Sequence, residues 1–229
     1  MLTVERVSKR FGKVVALNDV SLEVTRGERV ALVGSNGSGK TTLLRALLGL
    51  VRVEGKICID GFDVARHPEQ ALARVAYVPQ IAPPLEAPVR EILRVAAALR
   101  QIRVEAIESS AAELGLSVAE IAERRVRDLS GGMKQKLLAA LALASDPDLL
   151  ICDEPTANLD SRARERFFSL VDTRRHDRAL ILCSHRADDV ERLVDRVIEL
   201  EEGRVISRTS IEYRYNSGAP AASEERLPC

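Results

Sequence analysis

The sequence has no excess of charge of either sign. It contains 34 Lys and Arg and 34 Asp and Glu among its 229 residues, so its formal net charge is zero. Proteins that bind DNA or RNA through the phosphate backbone usually present a basic surface. The charge balance therefore disfavours tight nonspecific binding to nucleic acid, although it does not exclude a local basic patch. We expect no nucleic-acid partner.

Long apolar runs are also absent. No uninterrupted apolar stretch approaches the roughly 20 residues that cross a bilayer. The first residues, Met1 to Arg6, lack the apolar centre of a signal peptide. These absences predict a soluble, cytoplasmic protein. The length allows one large α/β domain or two small ones, and nothing suggests a tandem array.

Cysteine is scarce, and its positions do not pair. The four cysteines, Cys58, Cys152, Cys183 and Cys229, lack the spacing of metal ligands. The first three lie in apolar, strand-like runs, which predicts small buried side chains in a reducing compartment. Cys229 is the last residue and lacks the three residues that would follow it in a prenylation signal.

The most informative motif is a glycine-rich loop at residues 34–42, GSNGSGKTT, which matches the pattern G-x-x-x-x-G-K-[ST] at every fixed position. A buried strand is predicted before it at Arg29–Val33, and an apolar-faced helix after it at Thr42–Leu48. An ordinary glycine turn would not need the lysine, the threonine and this setting together. Accessible main-chain N–H groups and a helix N-terminus suit phosphate.

We therefore predict that this loop binds a nucleoside triphosphate. Lys40 would reach the terminal phosphates, and the Thr41 hydroxyl would complete the coordination of Mg²⁺. The predicted nucleotide-binding residues of the loop are Gly34, Ser35, Asn36, Gly37, Ser38, Gly39, Lys40, Thr41 and Thr42.

A pair of carboxylates ends the apolar strand predicted at Leu149–Cys152. Asp153 and Glu154 follow it directly, and phosphate-handling α/β proteins place Mg²⁺ and water chemistry at such a strand end. We predict that Asp153 approaches the metal and that Glu154 takes a proton from the attacking water. A solvated acidic loop would explain the two residues, but not their position after an apolar strand.

A third motif, Ser130-Gly131-Gly132, precedes a helix predicted from about Met133 to Ala144. Ser130 fits an N-cap, and glycines beside the free N–H groups of a helix start make an anion site. Taken alone, the motif is equally well explained as an ordinary capped helix. Its order relative to the other motifs favours a functional role.

The remaining pattern predicts an α/β protein with two kinds of region. The N-terminal third has strand-like runs, and a proline-rich connection, Pro79–Pro88, leads into a helical block that continues to Leu143. Later apolar strands are followed by helix-forming sequence, which indicates a parallel sheet, and a hairpin closes the pattern. The predicted strands are Leu2–Val7, Val20–Val24, Arg29–Val33, Gly55–Ile59, Val75–Val78, Leu149–Cys152, Ala179–Cys183, Val197–Leu200 and Arg204–Ser207.

In this order the motifs resemble those of the ATP-binding subunit of ABC transporters, over essentially Leu2 to Ser207. Leu129–Met133 corresponds to the family signature, usually LSGGQ, and Asp153-Glu154 to the end of the Walker B strand. The weaker matches are Gln80 for the Q-loop, Asn158–Asp160 for the D-loop, His185 for the switch histidine and Phe11 for the A-loop aromatic that stacks on adenine. Taken singly, His185 could be a structural histidine, Gln80 a loop amide and Phe11 a core aromatic.

The resemblance implies a fold and its domains. The expected fold is an α/β P-loop NTPase (RecA-like) core with an N-terminal antiparallel β subdomain and an inserted α-helical subdomain. We expect the core with its β subdomain at 1–80 and 146–210, and the helical subdomain at 81–145. A poorly ordered tail is expected at 211–229.

The resemblance also implies a mechanism that needs two subunits. Packed head to tail, the Ser130, Gly131 and Gly132 of one subunit would cover the γ-phosphate of an ATP held by the other, with Asp160 also at the nucleotide. Mg²⁺ would be held at Thr41, Gln80 and Asp153. The implied catalytic residues are Lys40 on the phosphates, Glu154 as the base, His185 on the γ-phosphate and Gln80 as a sensor of metal and water.

A membrane permease is the implied partner. A dimer of such subunits, identical or not, would sit on the cytoplasmic face of the cell membrane through a separately encoded permease that contacts the helical block. Met133 replaces the usual glutamine and cannot hydrogen-bond as an amide. Met133 and the following Lys134-Gln135-Lys136 are similar to the corresponding residues of ATPases that work with exporter-type permeases.

Two alternatives compete with transport. A soluble ABC-type ATPase acting on DNA or ribosomes typically has a coiled-coil insertion, a zinc module or two ATPase halves, and the sequence shows none of these. A protein that binds ATP without hydrolysing it would be expected to have lost Glu154 or His185.

Overall fold

The computed structural model describes residues 1–173 and 177–210, which form two β-sheets and a set of helices. The tail predicted at 211–229, with Cys229, lies outside these residues. The strands are β1 (Leu2–Phe11), β2 (Val14–Val24), β3 (Arg29–Val33), β4 (Glu54–Ile59), β5 (Phe62–Asp63), β6 (Val75–Val78), β7 (Leu149–Asp153), β8 (Ala179–Cys183), β9 (Arg196–Glu201) and β10 (Arg204–Ser210). The helices are α1 (Lys40–Leu47), α2 (Pro68–Leu72), α3 (Val89–Arg100), α4 (Val104–Glu113), α5 (Val118–Ile121), α6 (Gly131–Ala144), α7 (Ser161–Asp172) and α8 (Ala187–Leu193).

The larger sheet has six strands in the order β10-β9-β3-β8-β7-β6. All neighbours are parallel except β9 and β10, which form an antiparallel hairpin. Every residue of β7 and β8 is buried, as expected for parallel strands covered on both faces. The predicted parallel strands and closing hairpin are confirmed. Because parallel strands end at one edge of a sheet, the segments after β3, β7 and β8 lie side by side.

The smaller sheet is antiparallel, in the order β2-β1-β4-β5. The strands predicted at Leu2–Val7 and Val20–Val24 are only the inner parts of β1 and β2, so the predicted ends were wrong. The added residues are mostly half-buried or exposed, and the pairing shifts register between Val7 and Lys9 and again before Arg10. Bulges of this kind remove the simple alternation that identifies a strand.

The helical block lies where the sequence predicts it, in α3 to α6. Among the described residues, the Pro79–Pro88 connection contains no helix or strand apart from one bridge between Pro88 and Arg125, since proline lacks the N–H that regular structure needs. The α/β fold class, with an antiparallel sheet and inserted helices, is confirmed, while the subdomain boundaries stay predictions. No helix of the described residues is long and apolar enough to span a membrane.

The core occupies both faces of the six-stranded sheet. Alternate residues of β7 separate the two sides, as the two-residue period of a strand requires. Leu150 and Cys152 pack with the helical block, whereas Leu149 and Ile151 pack with the antiparallel sheet and α1. The three cysteines predicted to be buried, Cys58, Cys152 and Cys183, are buried and free.

Candidate functional site

The glycine-rich loop is held tightly between β3 and α1. Gly34 has a φ of +142° and Gly39 a φ of +107°. A Cβ at Gly34 would lie 2.1 Å from the Leu200 carbonyl oxygen, and one at Gly39 would lie 2.5 Å from the Ala16 carbonyl oxygen. Both positions therefore require glycine, because a side chain would collide with main chain. The loop leads into the N-terminus of α1, where the helix dipole favours an anion.

Lys40 is the first residue of α1, and its side chain returns to the loop. The ammonium Nζ donates to the carbonyl oxygen of Gly34 at 2.7 Å and to that of Ser35 at 3.0 Å. These two carbonyls fix the ammonium beside the loop, where it would meet a bound phosphate. Gly34 and Ser35 thus support Lys40, although neither lines the cleft described next.

The loop forms one wall of a cleft of about 210 Å³. The other wall consists of Gln80, Asp153, Glu154 and His185, which stand at or just beyond the carboxyl ends of β6, β7 and β8. Parallel neighbours bring these distant positions to one edge of the sheet. The residues that line the cleft are Val14, Ala16, Asn36, Gly37, Ser38, Gly39, Lys40, Thr41, Thr42, Gln80, Asp153, Glu154 and His185.

The backbone changes direction between the two carboxyl residues, Asp153 and Glu154, at the end of β7. Asp153 is the last residue of the strand, whereas Glu154 has a φ of +49°, in the left-handed region. The Glu154 N–H donates to the Cys183 carbonyl oxygen at 2.9 Å, which fixes this turn against β8. The Glu154 carboxylate then lies beside His185, with 3.5 Å between Glu154 Oε1 and His185 Nε2.

Both carboxyls are more basic than exposed ones. Burial raises the pKa of Asp153, and Lys40 opposes that rise. Burial likewise raises the pKa of Glu154, and His185 opposes it through its charge and a main-chain hydrogen bond. A carboxylate with a raised pKa is a stronger acceptor for the proton of an attacking water. The arrangement suits Glu154 for that role.

The oxygen donors of the cleft fit a magnesium ion. Thr41 offers a hydroxyl, Asp153 a carboxylate and Gln80 an amide oxygen, and all three line the same cleft. Mg²⁺ prefers oxygen ligands and usually takes few from the protein, with phosphates and water completing its shell. The cleft therefore brings together the three residues predicted to hold Mg²⁺, and their binding of the ion stays a prediction.

Phe11 does not line this cleft. Its side chain is about half exposed at the end of β1, and the ammonium of Lys9 lies 5.0 Å from the ring centroid. Val14, paired with Phe11 across the β1–β2 turn, lines the cleft instead, together with Ala16. Neither residue was predicted from the sequence, because β2 was predicted to begin only at Val20. Adenine stacking by Phe11 stays a prediction.

A second cluster lies at the start of α6, and none of its residues lines the cleft. Ser130 caps this helix, its Oγ accepting from the Met133 N–H at 3.2 Å, as predicted. A Cβ built on Gly131 would lie 3.7 Å from the side chain of Asn158, so the signature and the D-loop segment are neighbours. Neither Gly131 nor Gly132 lines the cleft.

Asp160 joins the two parts of this second cluster. Its carboxylate caps α7 by accepting from the Ala163 N–H at 2.8 Å, and Lys136 of α6 lies 3.6 Å away. The N–H of Ala163 is the main cause that lowers the pKa of Asp160. One chain therefore contains two separate clusters, one around Lys40 and one around Ser130.

Comparison with known sequences gives consistent matches. The family model described as ABC transporter matches residues 17–157. Nod factor export ATP-binding protein I of Burkholderia orbicola (strain AU 1054) is 39% identical over 97% of this chain and 72% of that protein. Its counterpart in Cupriavidus pinatubonensis (strain JMP 134 / LMG 1197) is 38% identical over 90% of this chain, which spans 65% of that protein. ABC transporter ATP-binding protein NatA of Bacillus subtilis (strain 168) is 34% identical over 95% of this chain and 92% of that protein.

Solved structures share the fold. An ATP-binding subunit of an ABC transporter superposes with a TM-score of 0.84 at 30% identity, covering 92% of this chain and 90% of that one. A dimeric ATP-binding cassette in a post-hydrolysis state, bound to ADP and Pi, gives a TM-score of 0.82 at 23% identity and covers 93% of this chain and 100% of that one. The second likeness concerns the fold alone.

Proposed function

This chain belongs to the ABC transporter family, whose ATP-binding domains are ATPases, and we propose that its ATP hydrolysis drives transport through a separately encoded membrane permease. The observation that carries the proposal is the single cleft that gathers Lys40, Gln80, Asp153, Glu154 and His185. Transfer of a phosphoryl group to water requires a cation that binds phosphate, ligands for a metal ion, a base for the water and a hydrogen-bond donor to the γ-phosphate. In this order, the cleft offers Lys40, then Gln80 and Asp153, then Glu154, and finally His185.

In the proposed reaction the protein mainly positions groups and stabilises charge. Lys40 binds the terminal phosphates of ATP, and Glu154 accepts a proton from the attacking water at its carboxylate. His185, beside Glu154, donates to the γ-phosphate. A Mg²⁺ ion held by Thr41 and Asp153, with Gln80 near it, would neutralise phosphate charge.

We further propose that two subunits build each complete site. Ser130, Gly131 and Gly132 lie outside the cleft that contains Lys40, yet glycines at a capped helix start are suited to phosphate. A second copy or a related subunit, packed head to tail, would bring its own signature onto the γ-phosphate, with Asp160 nearby. ATP then favours the closed dimer by adding contacts across it, and hydrolysis removes them.

The permease would dock on the segment 81–100. Ile81 is 80% exposed directly after Gln80, and Leu99 on α3 is 78% exposed, so the segment presents apolar side chains at the surface of the described residues. Gln135 of α6 donates from Nε2 to the Pro79 carbonyl oxygen at 3.4 Å. This bond connects the signature helix to the residue before Gln80. Through it, a movement of the helix on closure of the dimer would be transmitted to the permease docked on 81–100.

Export is the proposed direction of transport. Two of the relatives are named for the export of Nod factor, and Met133 with Lys134-Gln135-Lys136 is similar to the signature region of ATPases with exporter-type permeases. In this proposal the subunit lies on the cytoplasmic face of the membrane, bound to the permease. The relatives found here are named for transport, so they give no support to a role on DNA or ribosomes.

Substitution of the proposed base tests this function. Glu154→Gln keeps the shape of the side chain but cannot accept the proton, so we expect turnover to fall about 100-fold or more. ATP binding should persist, and an ATP-bound dimer should become long-lived. Turnover of ATP and size-exclusion chromatography with ATP measure the two effects.

The matched control is Glu108→Gln, on the exposed surface of α4. It makes the same chemical change at a residue that does not line the cleft and should leave turnover unchanged. Normal hydrolysis by Glu154→Gln would contradict the proposed mechanism.

A further inference from the structure

A fully buried carboxylate lies behind the catalytic pair, on α8. Asp189 accepts from the Thr156 hydroxyl at 2.5 Å, from the Ser184 hydroxyl at 3.0 Å and from Arg164 Nε at 2.8 Å. A buried carboxylate is costly unless its oxygens are paired, and here both are. No motif in the sequence marks this residue.

The three partners of Asp189 come from three different segments, two of which carry residues of the cleft. Thr156 follows Glu154 by two residues, and Ser184 directly precedes His185. Arg164 lies on α7, whose first turn is capped by Asp160. One side chain therefore connects the segment of the base, the segment of the switch histidine and the D-loop helix.

We propose that Asp189 is a positioning residue for ATP hydrolysis, holding Glu154 and His185 in their mutual geometry through Thr156 and Ser184. The inference rests on the proposed roles of Glu154 and His185. Thr156 and Ser184 are themselves buried, so neither hydroxyl has water as a substitute partner when Asp189 is changed.

Glu154 lies just beyond the end of β7 and needs support from neighbouring segments. Its backbone has a φ of +49°, a conformation that non-glycine residues keep only where the surroundings enforce it. The hydrogen bond to Cys183 fixes the Glu154 N–H, and the bond from Thr156 to Asp189 fixes the chain just beyond. On the opposite side, the Ser184 Oγ also accepts from the Arg186 N–H at 3.2 Å, which shapes the turn that carries His185.

The test compares neighbouring residues of one helix. Asp189→Asn keeps the size of the side chain but loses its charge and one acceptor. Asp188→Asn makes the same change at a side chain that is 73% exposed and also pairs with Arg164, at 3.2 Å. Steady-state hydrolysis by the full chain, ATP binding and thermal unfolding are measured for both variants.

We expect Asp189→Asn to lower kcat by about 10-fold or more, because a small misplacement of reacting groups can cost about 100-fold, while KM for ATP changes by less than about threefold. Asp188→Asn should match the wild type in all three measurements. Thr156→Val and Ser184→Ala, which keep the Arg164–Asp189 pair, should each lower kcat in the same way. These two variants decide the matter if Asp189→Asn does not fold.

A residue that acts through Glu154 and His185 should have no effect when both are already disabled. Adding Asp189→Asn to a Glu154→Gln, His185→Ala variant should therefore leave the residual turnover unchanged, whereas a general loss of structure would lower it further. Wild-type kcat in Asp189→Asn, or in both Thr156→Val and Ser184→Ala, would overturn the proposal, as would a further loss when Asp189→Asn is added to the variant that lacks both groups. Failure of the proposed function itself is distinguishable, because it would appear as normal hydrolysis by Glu154→Gln.

Discussion

Single residues of this site depend on unusual backbone positions. Glu154 adopts the left-handed region at a cost of about 1–3 kcal/mol, and main-chain bonds from its N–H to Cys183 and from Ala157 to its carbonyl hold the turn. The turn separates Glu154 from Asp153, although the two are adjacent in sequence. Adjacent carboxyls can then serve different tasks, one at the metal and one at the water.

The loop glycines give a matched pair of substitutions. Gly39→Ala would place a Cβ 2.5 Å from the Ala16 carbonyl oxygen, whereas Gly61→Ala, at a φ of +84°, would meet nothing within 4 Å. The second change carries only the cost of a left-handed alanine, about 1 kcal/mol. The first must also displace main chain that shapes the loop.

We therefore expect Gly39→Ala to abolish ATP binding, measured by titration with a fluorescent ATP analogue. Gly61→Ala should bind ATP as the wild type does and lose only a little stability in thermal unfolding. Equal affinity in the two variants would show that the close approach at Gly39 does not shape the site.

At the scale of elements, the sequence predicts best where burial is complete. The strands β3, β7 and β8 are short apolar runs flanked by turn or polar residues, and each was predicted within a residue of its observed ends. Their order along the chain, with helices between, indicates a parallel sheet. Since parallel strands end at one edge of a sheet, the residues that follow β3, β7 and β8 lie along that edge.

Elements with exposed or irregular parts could not be predicted in the same way. The outer halves of β1 and β2 follow no period because of their bulges, so Val14 was missed as a residue of the cleft. Phe11 was assigned from the family resemblance, which does not specify the direction of a side chain at a turn, so its stacking on adenine stays a prediction. Asp189 follows Asp188 in a helix that resembles an ordinary acidic surface, and only tertiary packing distinguishes the buried carboxylate from the exposed one.

The exposed face of α3 supplies a prediction about the permease. Val95 and Leu99 are one helical turn apart and are 56% and 78% exposed, so they form one apolar stripe. Replacing both with serine should weaken binding to the co-expressed permease by about 10-fold or more, since each buried aliphatic side chain contributes about 1.5–3 kcal/mol.

The matched control for the stripe is Leu50→Ser, a change at a residue that is 69% exposed beyond α1. It should bind the permease as the wild type does, in a pull-down of detergent-solubilised permease with tagged subunit. Undiminished binding by the Val95→Ser, Leu99→Ser double variant would show that the permease does not dock on this stripe.

At the scale of the whole molecule, a single chain holds two clusters that do not share one cleft. Lys40, Glu154 and His185 share one cleft, while Ser130 and its glycines start a helix that contributes nothing to the lining of that cleft. The proposed closed dimer joins the two clusters across subunits. In this proposal, ATP binding closes the dimer, and the permease bound to the two subunits uses that closure for transport.

The composite site makes complementation possible between two inactive variants. Lys40→Ala removes the phosphate-binding cation, and Ser130→Asp keeps a good helix N-cap while its negative charge repels the γ-phosphate. Each variant alone should be inactive. In a mixed dimer, however, Lys40 of the Ser130→Asp subunit faces the intact Ser130 of the Lys40→Ala subunit, so one site is complete.

ATP turnover of the mixed sample is the most direct test of this account. We predict that mixing the two single variants restores hydrolysis, whereas mixing Lys40→Ala with the Lys40→Ala, Ser130→Asp double variant, which offers no complete site, restores none. Hydrolysis by the mixture no greater than the average of its separate components would contradict a site shared between two subunits.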